Sequence, residues 1–93
     1  MTVRPNKKIE KALKKNRFVK FATHHNWYFY KKINGEDTLI YTFISHGSKD
    51  YGDDLLASLA DQLKLSKKEL IKFIDGKMTQ EEYENILKIK GFI

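Results

Sequence analysis

The chain has 93 residues and carries 18 Lys/Arg against 12 Asp/Glu, a net charge of +6, with no cysteine. That length suits a single domain, 1–93, with one core. The missing cysteines exclude disulfides and thiolate metal sites, and no apolar run approaches the roughly 20 residues of a membrane-spanning helix. The first residues, MTVRPNKKIEKALKKN, lack the apolar segment of a secretory signal. A soluble, cytoplasmic protein with no membrane partner is therefore expected.

The charge is unevenly placed. Residues 1–32 hold ten Lys/Arg against the single acid Glu10, and residues 33–93 hold eight against eleven acids. A basic N-terminal part suits a polyanion such as RNA. The plainer reading of the same residues is a lysine-rich, solvated helix face.

In chain order, Arg4-Pro5-Asn6 opens a first helix, with Pro5 suited to the first turn and Asn6 an alternative cap. Ile9, Ala12 and Leu13 form a narrow apolar stripe, and lysines take the rest of the surface. Asn16 is expected to end the helix, because Asn tolerates the left-handed conformation. Phe18–Thr23 reads as a first strand. Trp27–Tyr30 and Leu39–Ile44, on either side of Asn34-Gly35, read as a hairpin. The expected sheet has three antiparallel strands.

An even-length turn at Asn34-Gly35 would put Tyr28, Tyr30, Leu39, Tyr41 and Phe43 on one face. The other face would carry Trp27, Phe29, Ile33, Ile40, Ile44 and His46. Neither set is polar, so helices are expected on one face only. The second face then needs more chain, a binding partner or a homo-oligomer contact. The Trp/Ile face is the expected core, because tyrosines tolerate a wet edge better.

After the Gly47–Gly52 loop, with Asp50 or Asp53 as a cap, Leu55, Leu56, Leu59, Ala60 and Leu63 mark an amphipathic helix. Ser66-Lys67-Lys68-Glu69 and Thr79-Gln80-Glu81-Glu82 are two capping boxes. Leu65/Leu70 and Met78/Tyr83 are placed as their hydrophobic staples, and Asp75-Gly76 stops the helix between. The order is αβββα plus two short helices, an α+β chain.

Metal chemistry is poorly served. His24 and His25 are adjacent and in extended chain point to opposite faces, and no ligand set of metal-site spacing is present. No metal or other cofactor is expected. Metal-free phosphoryl chemistry fits better. Ribonuclease action needs a group titrating near neutrality, cations for the phosphorane and a stacking surface for a base. Histidine, lysine and exposed tyrosine supply all three around the sheet.

The stretch Ala22-Thr23-His24-His25-Asn26-Trp27-Tyr28, in an αβββα order, resembles the HicA family of small toxin mRNA interferases. Their hallmark there is Gly-Ser/Thr-His followed by an aromatic residue. Thr23-His24 and Trp27 match, while Ala22 stands in place of the glycine. Tyr41-Thr42-Phe43-Ile44-Ser45-His46-Gly47 looks like the family's strand closing in His-Gly, with Ile44 in place of the usual proline. The likeness covers roughly residues 6–74, leaving 75–93 as a helical extension. It implies a double-stranded-RNA-binding-domain-like sandwich, an endoribonuclease (hydrolase) activity and His24 as the catalytic histidine. His46 is a reserve for the second proton transfer. The implied partners are RNA and a HicB-like antitoxin. The expected RNA-binding residues are Lys7, Lys11, Lys14, Arg17, Lys20, Lys31, Lys32, Tyr28 and Tyr30.

Two other readings compete. One is an RNA-binding module of the same fold without catalysis. The other is DNA binding through the helix-turn-helix cadence of residues 56–74, although Lys67, Lys68 and Lys72 suit phosphates better than base edges.

Overall fold

Asn34 and Gly35 both take positive φ, 54° and 81°. That is the geometry of a two-residue type I′ turn, whose twist matches the strands it joins. A Cβ at Gly35 would meet no neighbour, but its φ would strain any other residue. The computed structural model describes residues 3–23, 26–45 and 50–93. Among these residues the chain runs β1 (Arg4–Pro5), α1 (Asn6–Lys15), β2 (Phe18–Ala22), β3 (Asn26–Ile33) and β4 (Glu36–Ser45). It continues through β5 (Asp50–Tyr51), α2 (Asp53–Leu63), α3 (Lys67–Ile74) and α4 (Gln80–Ile89). The class is α+β. β2, β3 and β4 form one antiparallel sheet in that order, and β1 pairs with β5 in a separate two-stranded ladder.

The turn sets the register. Trp27 faces Ile44, Tyr28 faces Phe43 and Tyr30 faces Tyr41. Beyond Tyr30 the register shifts, so that Lys32 faces Asp37. Lys31 therefore spans Thr38, Leu39 and Ile40. The Thr38 hydroxyl donates to the Lys31 carbonyl at 3.0 Å and accepts from the Ile40 amide at 3.2 Å, closing the irregularity. Two extra residues preserve the side-chain alternation, but Leu39 is pushed out and stands 96% exposed.

All four helices contribute to one core on one side of the sheet. Phe18, Phe29, Ile40 and Ile44 are buried there with Ile9 and Leu13 of α1, Leu56, Leu59 and Leu63 of α2, and Leu70, Phe73 and Ile74 of α3. The expected Trp/Ile face is the covered one, although Trp27 itself is only partly buried at its margin.

Residues 75–93 are more than an extension. Tyr83 and Leu87 of α4 are fully buried. The Tyr83 ring lies 6.1 Å from Phe18 and 5.1 Å from Phe73. Its hydroxyl donates to the Leu63 carbonyl at 2.9 Å, and burial pushes its pKa well up. Truncation near residue 74 would remove the centre of the core.

Both capping boxes form as the sequence suggests, Ser66 with Glu69 and Thr79 with Glu82. Their staple residues Leu65, Leu70, Met78 and Tyr83 are all buried. Asp75 caps α3, and Gly76 follows at φ 77°. Two local expectations need correcting. Asn16 does cap α1, but at φ −99°, and it is Arg17 that turns left-handed at φ 63°. Asn16 is instead held inside, its side-chain amide donating to the Ala12 carbonyl at 2.8 Å. Gly52, rather than Asp50 or Asp53, precedes α2, while Asp53 and Asp54 occupy its first turn, where the helix dipole favours them. No helix of the described residues is long and apolar enough to cross a membrane.

Candidate nucleic-acid interface

One turn of α1 after another presents lysine outward because the apolar stripe of Ile9, Ala12 and Leu13 faces the core. Lys7, Lys11 and Lys14 fall on one outward face by the i, i+4, i+7 spacing. They line a groove of about 510 Å³ with Asn6, Glu10 and Trp27. Trp27 arrives from β3, next to the β2–β3 connection. Lys20 of β2 places its ammonium 4.4 Å from the Trp27 ring centroid, a cation–π distance.

Glu10 organises the groove's floor. It accepts hydrogen bonds from Lys14 at 2.9 Å and Lys20 at 3.0 Å. Burial alone would raise the Glu10 pKa, but those two bonds outweigh it and the net shift is downward. Glu10 thus remains charged and fixes two cations, while no ion pair among the described residues holds Lys7 or Lys11. Chemically, the groove offers ammonium donors to phosphate and an indole surface to a base.

The β2–β3 connection is closed by paired bonds between Thr23 and Asn26. The Thr23 amide and hydroxyl donate to the Asn26 carbonyl at 2.8 Å and 2.9 Å, and the Asn26 amide donates to the Thr23 hydroxyl at 3.1 Å. The expected catalytic residues His24 and His46 lie outside the described residues, as does His25. Among the described residues, no three His, Cys, Asp or Glu side chains converge.

The structure divides the other expected RNA-binding residues. Tyr28 and Tyr30 sit on the sheet face opposite the helices, so they do not share a surface with the α1 lysines. Lys32 has the parity of that open face and pairs with Asp37 at 2.6 Å, but it also lines a groove of about 770 Å³ with Lys14, Lys15 and Arg17. Arg17 is exposed and turned towards α4, where its Nε donates to Gln80 at 3.2 Å.

Lys31 is not on any RNA surface. Its side chain is 0% exposed. Its Nζ donates to the Asn16 carbonyl at 2.7 Å and to Glu84 of α4 at 2.9 Å, between the rings of Phe18 and Tyr83. Burial pulls its pKa down against the hydrogen bond and charge of Glu84. Strand alternation carries the missed signal: Lys31 has the parity of Trp27 and Phe29, so it belongs to the covered face.

The helix-turn-helix-like segment is also placed. Lys64 turns left-handed at φ 64° between α2 and α3. On α3, Leu70, Phe73 and Ile74 face the core. Lys67 pairs with Asp53 at 3.1 Å and Glu69 with Lys90 at 2.9 Å. The exposed side chains of α3 are Lys67, Lys68 and Lys72, which suit phosphates and carry no base-reading pattern.

No protein-family model, curated protein or solved structure matches this chain.

Proposed function

We propose that the chain is a HicA-like endoribonuclease, folded as a double-stranded-RNA-binding-domain-like sandwich and acting in the cytoplasm under the restraint of a HicB-like antitoxin. The observation that carries the reading is the groove in which Trp27 and the lysines of α1 come together. Trp27 of that groove directly follows, in the chain, the connection that Thr23 and Asn26 close, and His24 follows Thr23 in the sequence.

In this reading RNA lies along α1, with phosphates on Lys7, Lys11 and Lys14 and a base against Trp27. His24 takes the 2′-hydroxyl proton, and that oxygen attacks the adjacent phosphorus. The P–O5′ bond breaks, the 5′-oxygen leaves with a proton supplied by His46, and a 2′,3′-cyclic phosphate remains. A histidine of ordinary pKa exchanges protons at cellular pH, and lysine charge stabilises the phosphorane.

The test is RNA incubated with the protein in excess chelator, comparing wild type with His24→Ala and His46→Ala. Cyclic-phosphate ends made by the wild type and lost in His24→Ala support the mechanism. Cleavage that survives His24→Ala, or that requires a divalent ion, removes it. RNA binding without cleavage leaves the non-catalytic module of the same fold.

A further inference from the structure

Among the described residues no element covers the sheet's open face, which is apolar. Phe21 is 51% exposed, Tyr41 49% and Leu39 96%. Rings from all three strands form a row across it: Phe21 lies 5.7 Å from Tyr30, and Tyr30 lies 5.4 Å from Tyr41, centroid to centroid. A second row pairs Tyr28 with Phe43 at 5.8 Å. A monomeric protein rarely leaves such a continuous apolar patch in water.

We propose that this face is the contact between two copies of the chain, packed sheet against sheet. Charge distinguishes this occupant from nucleic acid. Among the described residues of the face the one cation is Lys32, and Asp37 neutralises it at 2.6 Å. Nucleic-acid surfaces need free cations for phosphate, and in this chain those cations lie along α1, on the far side of the sheet. Bringing two copies together through the open face therefore buries no uncompensated charge. It also points both basic helices outward, so that their lysines are separated by both sheets and by more than the roughly 8–10 Å over which salt screens them.

The area is adequate as well. Phe21, Leu39, Tyr41 and Phe43 leave 51%, 96%, 49% and 40% of their surface in water, which suits a contact at the small end of specific interfaces, about 1,200 Å² in total. The composition fits, because interface centres are rich in Tyr and Phe and poor in charge. The contact is expected to be isologous: a two-fold axis through the middle row lays Phe21, Tyr30 and Tyr41 of one copy across the same residues of the other.

The test is sedimentation equilibrium of the whole protein over about 1 to 500 µM, the range suited to an interface of this size, with wild type beside Leu39→Asp and Leu39→Asp/Tyr41→Asp. Leu39 is so exposed that its substitution leaves the monomer fold intact, and circular dichroism checks both variants. The expected result is a concentration-dependent dimer whose dissociation constant rises at least tenfold in Leu39→Asp and further in the double variant. RNA binding by the α1 groove should persist in both. A wild type that stays monomeric throughout overturns the proposal. So does a dimer indifferent to both variants, which would use another surface. A monomeric wild type whose RNA binding falls in these variants would assign the face to RNA instead.

Discussion

The two faces of the β2–β3–β4 sheet are both apolar, yet only one is covered. On the covered face Phe18, Phe29, Ile40 and Ile44 are buried under four helices. On the open face Phe21, Tyr41, Phe43 and Leu39 stand in solvent. Apolar composition alone does not say which face becomes core. What differs is shape and polar tolerance: the covered face is largely branched aliphatic and phenyl, while the open face holds three tyrosines whose hydroxyls accept water. The covered face also hides the one charge that composition would place outside, Lys31.

The largest expected effect separates the faces directly. Phe29→Ala, at the centre of the covered face, is expected to cost about 3–5 kcal/mol of stability. Tyr41→Ala, across the same sheet, should cost about 1 kcal/mol or less through its lost stacking on Tyr30. Urea titrations of both variants at one low protein concentration measure the difference. Equal losses would mean that the open face is part of a core.

The second effect concerns the buried ion pair. Glu84→Ala leaves the Lys31 ammonium inside with only the Asn16 carbonyl, and should cost about 2–3 kcal/mol. Lys31→Met removes the buried charge but takes a donor from Glu84 and the Asn16 carbonyl; it should cost less than Glu84→Ala, because Glu84 is partly exposed and keeps its bond from Gln80. The pH dependence follows in sign. The Lys31 pKa is lowered in the folded state, so its protonated burial opposes folding below that lowered value. The penalty fades as pH rises towards the ordinary lysine value. For Glu84, burial acts upward, but hydrogen bonds from Lys31 and Gln80 prevail and lower the pKa. Its contribution is present above the usual carboxylate range and is lost as pH falls through the folded value. Denaturant midpoints across pH for the two single variants check both signs.

These contrasts show what could be read from the chain beforehand. Short-range chemistry was readable because it is local: the Asn34-Gly35 turn, the Ser66 and Thr79 boxes and the alternation that sorts the faces all depend on neighbours within a few residues. Long-range facts were not. The extra residues at Thr38–Ile40 shift the register without changing the alternation, so no pattern marks them. Tyr83 enters the core only once α4 folds back on Phe18 and Phe73. Arg4 and Pro5 pair with Tyr51 and Asp50 through two strands too short to carry a period. In the groove, the α1 lysines followed from helical spacing, but their meeting with Trp27 did not, since it depends on how α1 lies against β3. Lys31 was readable by parity and was obscured by its charged neighbour Lys32.

The third prediction sharpens the distinction between buried and exposed cations. Replacing Lys7, Lys11 and Lys14 together by Gln should reduce the salt dependence of RNA affinity by about 2 in the log–log slope, at about 0.7 for each phosphate contact on a single strand. Lys31→Met should leave that slope unchanged, because its ammonium is bound to Asn16 and Glu84. Fluorescence anisotropy over a salt series measures both. A slope altered by Lys31→Met and untouched by the triple variant would mean that the groove is only a solvated helix face.

The smallest effect lies at the rim of the covering layer. Asp75 stands at the C-terminal end of α3, where the helix dipole disfavours a carboxylate. Two cations offset that: Arg4 of β1 donates to both carboxylate oxygens, at 2.8 Å and 2.9 Å, and Lys8 of α1 approaches to 3.2 Å. The pair joins the chain's first strand to its third helix. The Arg4 hydrogen bonds prevail over burial and hold the Asp75 pKa down at about 2. A lowered carboxylate pKa stabilises the fold above its unfolded value and loses that contribution as pH falls through the folded one, here between about 4 and about 2. Because the partners are partly in water, Asp75→Asn should cost less than about 1 kcal/mol near neutral pH. The wild-type and variant stability curves should converge as pH approaches 2. If the gap persists undiminished in acid, Asp75 acts through neutral hydrogen bonds that Asn cannot reproduce, and the charge of Arg4 and Lys8 is incidental.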